Sequence, residues 1–288
     1  MDKIFRPLKT GTRLTAFLVL TLILGPLQIL VIWISPRKWS VIPMLYHRGL
    51  LAIVGVKVRV HGDVPPPGSL LASNHVSWLD IVLIGSRFPV SFVAKSEVRT
   101  WPVFGQLAML QKTIFIRRER GRHTLGNRDL MRDRLSAGDR LVLFAEGTTG
   151  NGAGAMPFKS ALFSSVQCAP EDNSSDNTIA VHPTALSYTA LDGHVMTQAL
   201  RDQYAWLGDA ALVPHLLFTL ATKPLTIDIA FHPALPASVM HDRKQIARAA
   251  CEKVDASLVH FTTIAGNEDD IAHDISHDAA LDVASESR

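Results

Sequence analysis

The longest run of apolar positions, Leu14–Ile34 (LTAFLVLTLILGPLQILVIWI), has 21 residues and no charge. As an α-helix it measures about 30 Å, the thickness of a bilayer core. It is longer than the apolar part of a secretory signal, and no small-x-small cleavage site follows it. Lys3, Arg6, Lys9 and Arg13 precede it, and Ser35-Pro36-Arg37-Lys38-Trp39 follows as a basic, aromatic interface anchor. A second apolar stretch, Val41–Val56, is interrupted by His47, Arg48 and Gly49. Two arrangements fit. The first segment spans a membrane and the second lies on its surface, or the two form a hairpin dipping into one leaflet, with Pro26 breaking the first helix. Positive charge on both sides marks the orientation only weakly.

Beyond this segment, short β-branched runs alternate with helical patterns. Val56–His61 alternates apolar and polar, as a half-buried strand does. Val64-Pro65-Pro66-Pro67-Gly68 is a turn. Ser69–Ser73, Val90–Ala94, Thr113–Ile116, Leu141–Phe144, Thr178–Tyr188 and Leu225–Phe231 read as further strands. Trp78–Gly85, His123–Leu135 and Lys159–Cys168 read as helices, and Arg243–Val259 as an amphipathic one. This alternation predicts an α/β fold with a central, mostly parallel or mixed sheet flanked by helices. The expected division is a membrane-anchoring segment over 1–56, one domain over 57–262 and an acidic, mobile tail over 263–288. Glu171–Asn177 reads as a polar surface loop.

Charge sharpens the division. The net charge of the 288 residues is +3. The last 25 residues hold seven acids and one base, which leaves that end at −6 and the preceding 263 at +9. With 47% hydrophobic and 19% charged residues, a mainly disordered chain is excluded. Mean hydropathy of +0.17 points to membrane contact. Cys168 and Cys251 belong to no CxxC, so neither a disulfide framework nor a cysteine zinc site is expected. His273 and His277 sit at i, i+4 in the tail, but without a further ligand no metal is assigned.

Three blocks carry candidate chemistry. Ser73-Asn74-His75-Val76-Ser77-Trp78-Leu79-Asp80 follows a strand and opens a helix. On one helix, His75 and Asp80 would lie about 140° apart. They meet only if His75 sits in the turn before the helix and Asp80 reaches back to it. A carboxylate on one imidazole nitrogen fixes the tautomer and leaves the other as a base. Ser77 reads as a helix cap. In the second block, a buried strand from Lys112 runs into Arg117 and Arg118, whose forks suit phosphate or carboxylate. These arginines lie beside His75 if their strands are near neighbours. Lys112 to Arg140 holds nine bases and four acids. The run Arg117–Arg140 has no aromatic residue, so a nucleic-acid module lacks its stacking platforms and no nucleic-acid partner is expected. The third block, Phe144-Ala145-Glu146-Gly147-Thr148-Thr149-Gly150-Asn151-Gly152, ends a strand in an acid and a glycine-rich turn. It is neither a Walker loop nor GxGxxG. GxSxG is absent too, against a serine hydrolase.

In order and spacing these blocks resemble the glycerolipid acyltransferase superfamily, the PlsC-like lysophosphatidic acid acyltransferase group. Asn74-His75 through Asp80 matches its NHxxxxD block, and Phe115-Ile116-Arg117 its aromatic-Ile-Arg block. Phe144, Glu146, Gly147 and Thr148 match Phe-Pro-Glu-Gly-Thr-Arg, and Val181-His182-Pro183 matches a Val-x-Pro strand. The resemblance covers roughly residues 50–235. Ala145 replaces the family's proline. Thr149 replaces an arginine credited with holding the acceptor's phosphate. A charge-assisted hydrogen bond is worth about 1.5–3 kcal/mol, so a different head-group preference is implied. Pro157-Phe158-Lys159-Ser160-Ala161-Leu162-Phe163, Trp206-Leu207-Gly208-Asp209 and Pro214-His215 look closer to lyso-ornithine lipid acyltransferases.

The resemblance implies acyl transfer from a thioester, carried by acyl carrier protein or coenzyme A, to a lysolipid hydroxyl. No cofactor is required. His75 would be the base and Asp80 its orienting partner. Arg117, Glu146, Gly147 and Thr148 would hold the acceptor, with Asn74, Arg118 and Lys159 as secondary candidates. The membrane bilayer is an expected partner. A bacterial-type inner membrane is expected, with the domain on the cytoplasmic face, because neither donor crosses a membrane readily. The competing reading is a lipid-binding membrane protein of this fold without catalysis.

Overall fold

The computed structural model describes residues 7–116, 122–168, 179–208 and 210–285. Arg117, Arg118, Asp209 and the loop expected over Glu171–Asn177 lie outside them. Strands β1 (Val56–His61), β2 (Leu70–Ser73), β3 (Ser91–Lys95), β4 (Ile114–Ile116), β5 (Leu141–Phe144), β6 (Val181–Leu191), β7 (His194–Val195) and β8 (Leu225–Phe231) form one sheet. Its order is β1-β8-β6-β2-β5-β3-β4, with β7 hairpinned onto β6. Pairing is parallel except for β6 with β7 and with β8, so the sheet is mixed.

β2 and β5, at the centre, are covered on both faces. Leu71 and Val142 point into one hydrophobic core, and Leu70, Ala72, Leu141 and Leu143 into the other. Their near-continuous apolar reading follows from this two-sided burial. The first core is roofed by α1 (Pro7–Ile34), α2 (Val41–Val54), α3 (Leu79–Gly85) and α7 (Leu212–Ala221), through residues such as Phe17, Leu51, Leu83 and Leu220. The second lies under α5 (Arg122–Ser136) and α8 (Arg243–Ser285), through Met131 and Leu135 and through Ile246, Ala250 and Val254. Helices α4 (Phe104–Leu110) and α6 (Gln198–Tyr204) complete the set.

Several elements depart from the sequence reading. Helix α1 runs through Pro26 without a break. The proline removes one backbone bond of a 28-residue helix that is held from both sides. Trp39 is buried rather than an interface anchor: the Lys112 ammonium lies 5.0 Å over its ring, and its carbonyl accepts from the Gln28 amide at 2.7 Å. The exposed aromatic at that end is Trp33. Lys159–Cys168 is a 3-10 helix over Ser160–Ser165, not an α-helix. Over 263–285, read from the sequence as an acidic tail, the backbone of α8 continues as helix to Ser285. No proline or glycine follows Gly266, so a helix already nucleated by packing can propagate there.

Among the described residues, one helix is long and apolar enough to cross a bilayer: Leu8–Ile34, mean hydropathy 2.5. Yet α1 is fastened to the rest of the chain at two distant points. Near one end the Arg13 guanidinium donates to Leu220 O (3.0 Å) and Thr222 O (2.7 Å) at the end of α7. Fifteen residues on, or about 22 Å along the helix, buried Gln28 donates to Leu110 O at the end of α4 (2.9 Å). Helix α2 is fastened as well. His47 meets Gln111 Oε1 at 3.2 Å, and Arg48 donates to Ser86 O at 2.9 Å. The outer face of α1 exposes Leu18, Leu22, Ile29 and Trp33.

The seam depends on a missing side chain. A Cβ at Gly85 would stand 2.6 Å from His47 Cδ2 and 2.8 Å from its Nε2. Gly85→Ala is therefore expected to cost about 1–3 kcal/mol through overpacking. Gly11→Ala, with nothing within 4 Å of its Cβ, should be neutral or slightly stabilising. Thermal unfolding of the two variants side by side checks this; equal midpoints would remove the role assigned to the His47–Gly85 contact.

Candidate active site

The carboxyl ends of β2 and β5 lie side by side, with Ser73 in register with Phe144. Side chains that follow such parallel strands gather at one edge of the sheet. After Ser73 the chain makes a turn over residues 74–78 before α3 begins at Leu79. His75 thus sits in the turn and Asp80 in the first helical turn, the arrangement their spacing requires. His75 Nδ1 lies 2.8 Å from Asp80 Oδ2. That oxygen also accepts from the N–H groups of Val76 (2.7 Å) and Ser77 (2.9 Å). Asp80 Oδ1 accepts from the Tyr188 hydroxyl at 2.8 Å. The carboxylate is fully buried, so these four bonds supply its solvation. The Ser77 side chain does not cap α3; its hydroxyl meets Tyr188 instead. Burial, followed by the adjacent Asp80 charge, pushes the Tyr188 phenol well above its ordinary 10.

With Nδ1 bonded to Asp80, Nε2 is the ring nitrogen left to act as a base. The His75 ring stacks on Phe144 with centroids 3.8 Å apart and planes 11° apart. Its side chain keeps 14% exposure, enough to meet a reactant. Asn74 does not face the opening. Its amide donates to Leu186 O (3.0 Å) and its carbonyl accepts from Leu186 N–H (2.9 Å), which locks the turn to β6.

Glu146 lies beneath the site at 2% exposure. One carboxylate oxygen accepts from His75 N–H (2.9 Å) and the other from Met156 N–H (2.8 Å). It holds two loops together and offers no carboxylate to solvent. Burial pushes it from 4.5 up to about 7, against these two bonds, which pull it down, and with Asp80's charge adding to the rise. Gly147 turns the chain back with φ 72° and an N–H bond to Phe144 O, a conformation that favours glycine. Thr148 and Lys159 are exposed, and the Thr149 hydroxyl donates to Trp206 O.

Arg117 and Arg118 lie outside the described residues, but the strand before them is placed. β4 is separated from β2 by β5 and β3, so the condition that would set these arginines beside His75, near-neighbour strands, is not met. Three strand spacings amount to about 14 Å. Sequence reasoning missed Tyr188 and Leu186, which lie far along the chain on β6. It also missed the contacts of residues 206 and 215. Trp206 N–H donates to Val76 O at 2.8 Å, and Trp78 Nε1–H donates to His215 Nδ1 at 3.1 Å. Burial lowers the His215 imidazole against backbone bonds that raise it. The only early signal for these positions was the resemblance of their two short blocks.

A family model described as "Acyltransferase" matches residues 57–187. The chain is 39% identical over 243 residues to lyso-ornithine lipid O-acyltransferase of Rhizobium meliloti, covering 83% of this chain and 82% of that protein. It is 38% identical over 244 residues to the protein of that name from Brucella abortus, covering 84% and 91%. It is 32% identical over 220 residues to 1-acyl-sn-glycerol-3-phosphate acyltransferase of Neisseria meningitidis, covering 76% and 81%. The crystal structure of PlsC, the 1-acyl-sn-glycerophosphate acyltransferase of Thermotoga maritima, is similar in fold. Its TM-score is 0.50 at 15% identity, covering 86% of this chain and 97% of that one.

Glu146 gives a pH test. Between 4.5 and about 7 the folded protein holds a proton that the unfolded chain has released. Stability through this group therefore falls as pH rises across that window, by something on the order of 3 kcal/mol. Glu146→Gln should remove the slope and lower activity, because an amide can accept only one of the two N–H bonds. Thermal midpoints of wild type and variant at pH 5 and pH 7.5 measure it. A difference between them that is the same at both pH values would overturn the assignment.

Proposed function

The chain belongs to the PlsC-like glycerolipid acyltransferase superfamily and is an acyltransferase of lysolipids, and we propose that it moves a fatty acyl group from a thioester to the hydroxyl of lyso-ornithine lipid at a membrane surface. The observation that carries the chemistry is the His75–Asp80 bond with Nε2 left over. A thiolate leaves readily, so the enzyme needs no nucleophile of its own. A lipid hydroxyl has a pKa far above 7 and needs a base as it attacks. The hydroxyl oxygen bonds to the thioester carbonyl carbon while His75 Nε2 takes its proton. The tetrahedral centre then collapses, the C–S bond breaks, and Nε2 returns the proton to the sulfur. Asp80 holds the tautomer and balances the imidazolium. General-base help of this kind is typically worth about 100- to 10,000-fold.

The acceptor assignment rests on position 149. An arginine there would carry a charge for a phosphate head. Thr149 carries none, and its hydroxyl is spent on Trp206 O. The greater identity to lyso-ornithine lipid enzymes than to the Neisseria glycerol-phosphate enzyme points the same way. The donor is acyl carrier protein or acyl-coenzyme A; both are anionic and suit the +9 body. Thr148 and Gly147 border the acceptor's approach, with Arg117, Arg118 and Lys159 as candidate charges for anionic groups.

The N-terminal hairpin lies in one leaflet of the membrane. A helix that crosses a bilayer cannot touch the same catalytic domain at two points about 22 Å apart along its length; α1 does so through Arg13 and Gln28. Its outer apolar face supplies the buried area, and the acceptor reaches the site from the same membrane. Anionic donors that do not readily cross a membrane support a domain on the cytoplasmic face.

Two measurements test this reading. Purified enzyme should acylate lyso-ornithine lipid in preference to lysophosphatidic acid with a thioester donor, and His75→Ala should lose nearly all of that activity while keeping its fold. A normal rate in the variant would sink the role of His75; preference for lysophosphatidic acid would sink the acceptor. Protease added to the periplasmic side of intact spheroplasts should fail to cleave an N-terminal tag, and cleavage there would mean that α1 spans.

A further inference from the structure

Two tryptophans that the chemistry above leaves unused meet at the edge of the site. Trp101 follows the 3-10 helix Ser96–Thr100 that leaves the carboxyl end of β3, and Trp206 follows α6. Their rings lie 5.8 Å apart with planes at 72°. Trp206 packs against the first core, but both rings are only partly buried, so together they form an open corner.

This corner is tied directly to the catalytic turn. Trp206 N–H donates to Val76 O, the residue next to His75, and its carbonyl accepts from Thr149. Its indole N–H is committed to Ala210 O. The residue that stands in place of a charge therefore positions an aromatic face instead.

Trp101 is positioned by strained backbone. The next three residues form a γ-turn in which Phe104 N–H donates to Pro102 O (2.7 Å) and Val103 takes φ 65°, ψ −54°. That is a rare turn, and φ is in a region that a β-branched residue seldom occupies. Val103 is 53% exposed, so burial of its own side chain does not account for the strain. Gly105 closes the turn onto Trp101 O at 2.9 Å, where a Cβ would meet Arg99 O at 2.3 Å. Strain of this kind persists where it sets a functional geometry.

We propose that Trp101 and Trp206 form the head-group subsite and that their indole faces receive the side-chain ammonium of the acceptor. Indole is the best of the aromatic faces for a cation, and walls set at an angle are how ammonium groups are recognised. The assignment rests on the lyso-ornithine lipid reading, since ornithine carries this ammonium and a glycerol phosphate does not.

The test compares kcat/KM of the full chain in detergent for lyso-ornithine lipid and for the same lipid acetylated on its side-chain amine, with lysophosphatidic acid as a third acceptor. Wild type should favour the free amine by about 2- to 30-fold. Trp101→Leu and Trp206→Leu should bring that ratio toward one, and the Phe variants should fall between. The ratio is taken within one preparation, so a reduced folded fraction does not alter it. Should a Leu variant be inactive, its Phe counterpart supplies the reading. No discrimination by wild type, or an unchanged ratio in the variants, overturns the subsite. Acylation of lysophosphatidic acid with neither ornithine lipid used overturns the acceptor reading and the subsite with it, and the third acceptor tells that failure from the first.

Discussion

A carboxylate removed from water must be surrounded by donors, and the end of the sheet that holds the candidate site is organised around one that is. Asp80 has no solvent contact and accepts four hydrogen bonds, from two backbone N–H groups, an imidazole and a phenol. The donors come from the β2–α3 turn and from Tyr188 on β6. Losing a donor would leave part of a buried charge unsolvated, at a cost of about 1–3 kcal/mol or more. The turn, the first turn of α3 and the neighbouring strand are therefore held in one arrangement. The tautomer of His75 is a consequence of it.

The same logic extends outward from the turn. Asn74 clips it to Leu186, and Glu146 binds its His75 N–H while reaching Met156. Val76 O receives Trp206, and Trp78 meets His215. Each of these residues satisfies backbone or ring polar groups that a loop at a strand end would otherwise leave open. The loops around His75 are thus built from polar closure, whereas the sheet beneath them is built from apolar burial on two faces. The N-terminal hairpin uses both means. Its inner surface is fastened by Arg13, Gln28, His47 and Arg48, and its outer surface stays apolar.

Elements with strong local signals were legible in the chain. β1, β5 and β8 begin and end where the pattern put them, and α5 differs by a residue at either end. Helix α7 was not read, because LVPHLLFTLA is apolar nearly all round and carries Pro214 in its first turn, where a proline is tolerated. The 3-10 helix at Ser160–Ser165 and the continuation of α8 also escaped the reading, since helix type and extent depend on what a segment packs against. The pairing of His75 with Asp80 was legible, because five residues across a turn-to-helix boundary admit one geometry. The contacts of Glu146 and Asn74 were not: Glu146 accepts from His75 and Met156 N–H, and Asn74 bonds to the Leu186 backbone across the sheet.

The sequence by itself determined which segments form most of the strands, which helix is apolar enough for a membrane, and which histidine and aspartate can meet. These follow from periodicity and spacing within a few residues, where covalent geometry limits the choices. Tertiary structure alone decided the strand order, which moved β4 three places from β2. It also brought Tyr188 onto Asp80 across 108 positions, set Trp206 against Val76, and laid α1 along the domain instead of away from it. Those contacts join residues with no local relation, and only the packing of one sheet between two layers of helices brings them within hydrogen-bonding reach.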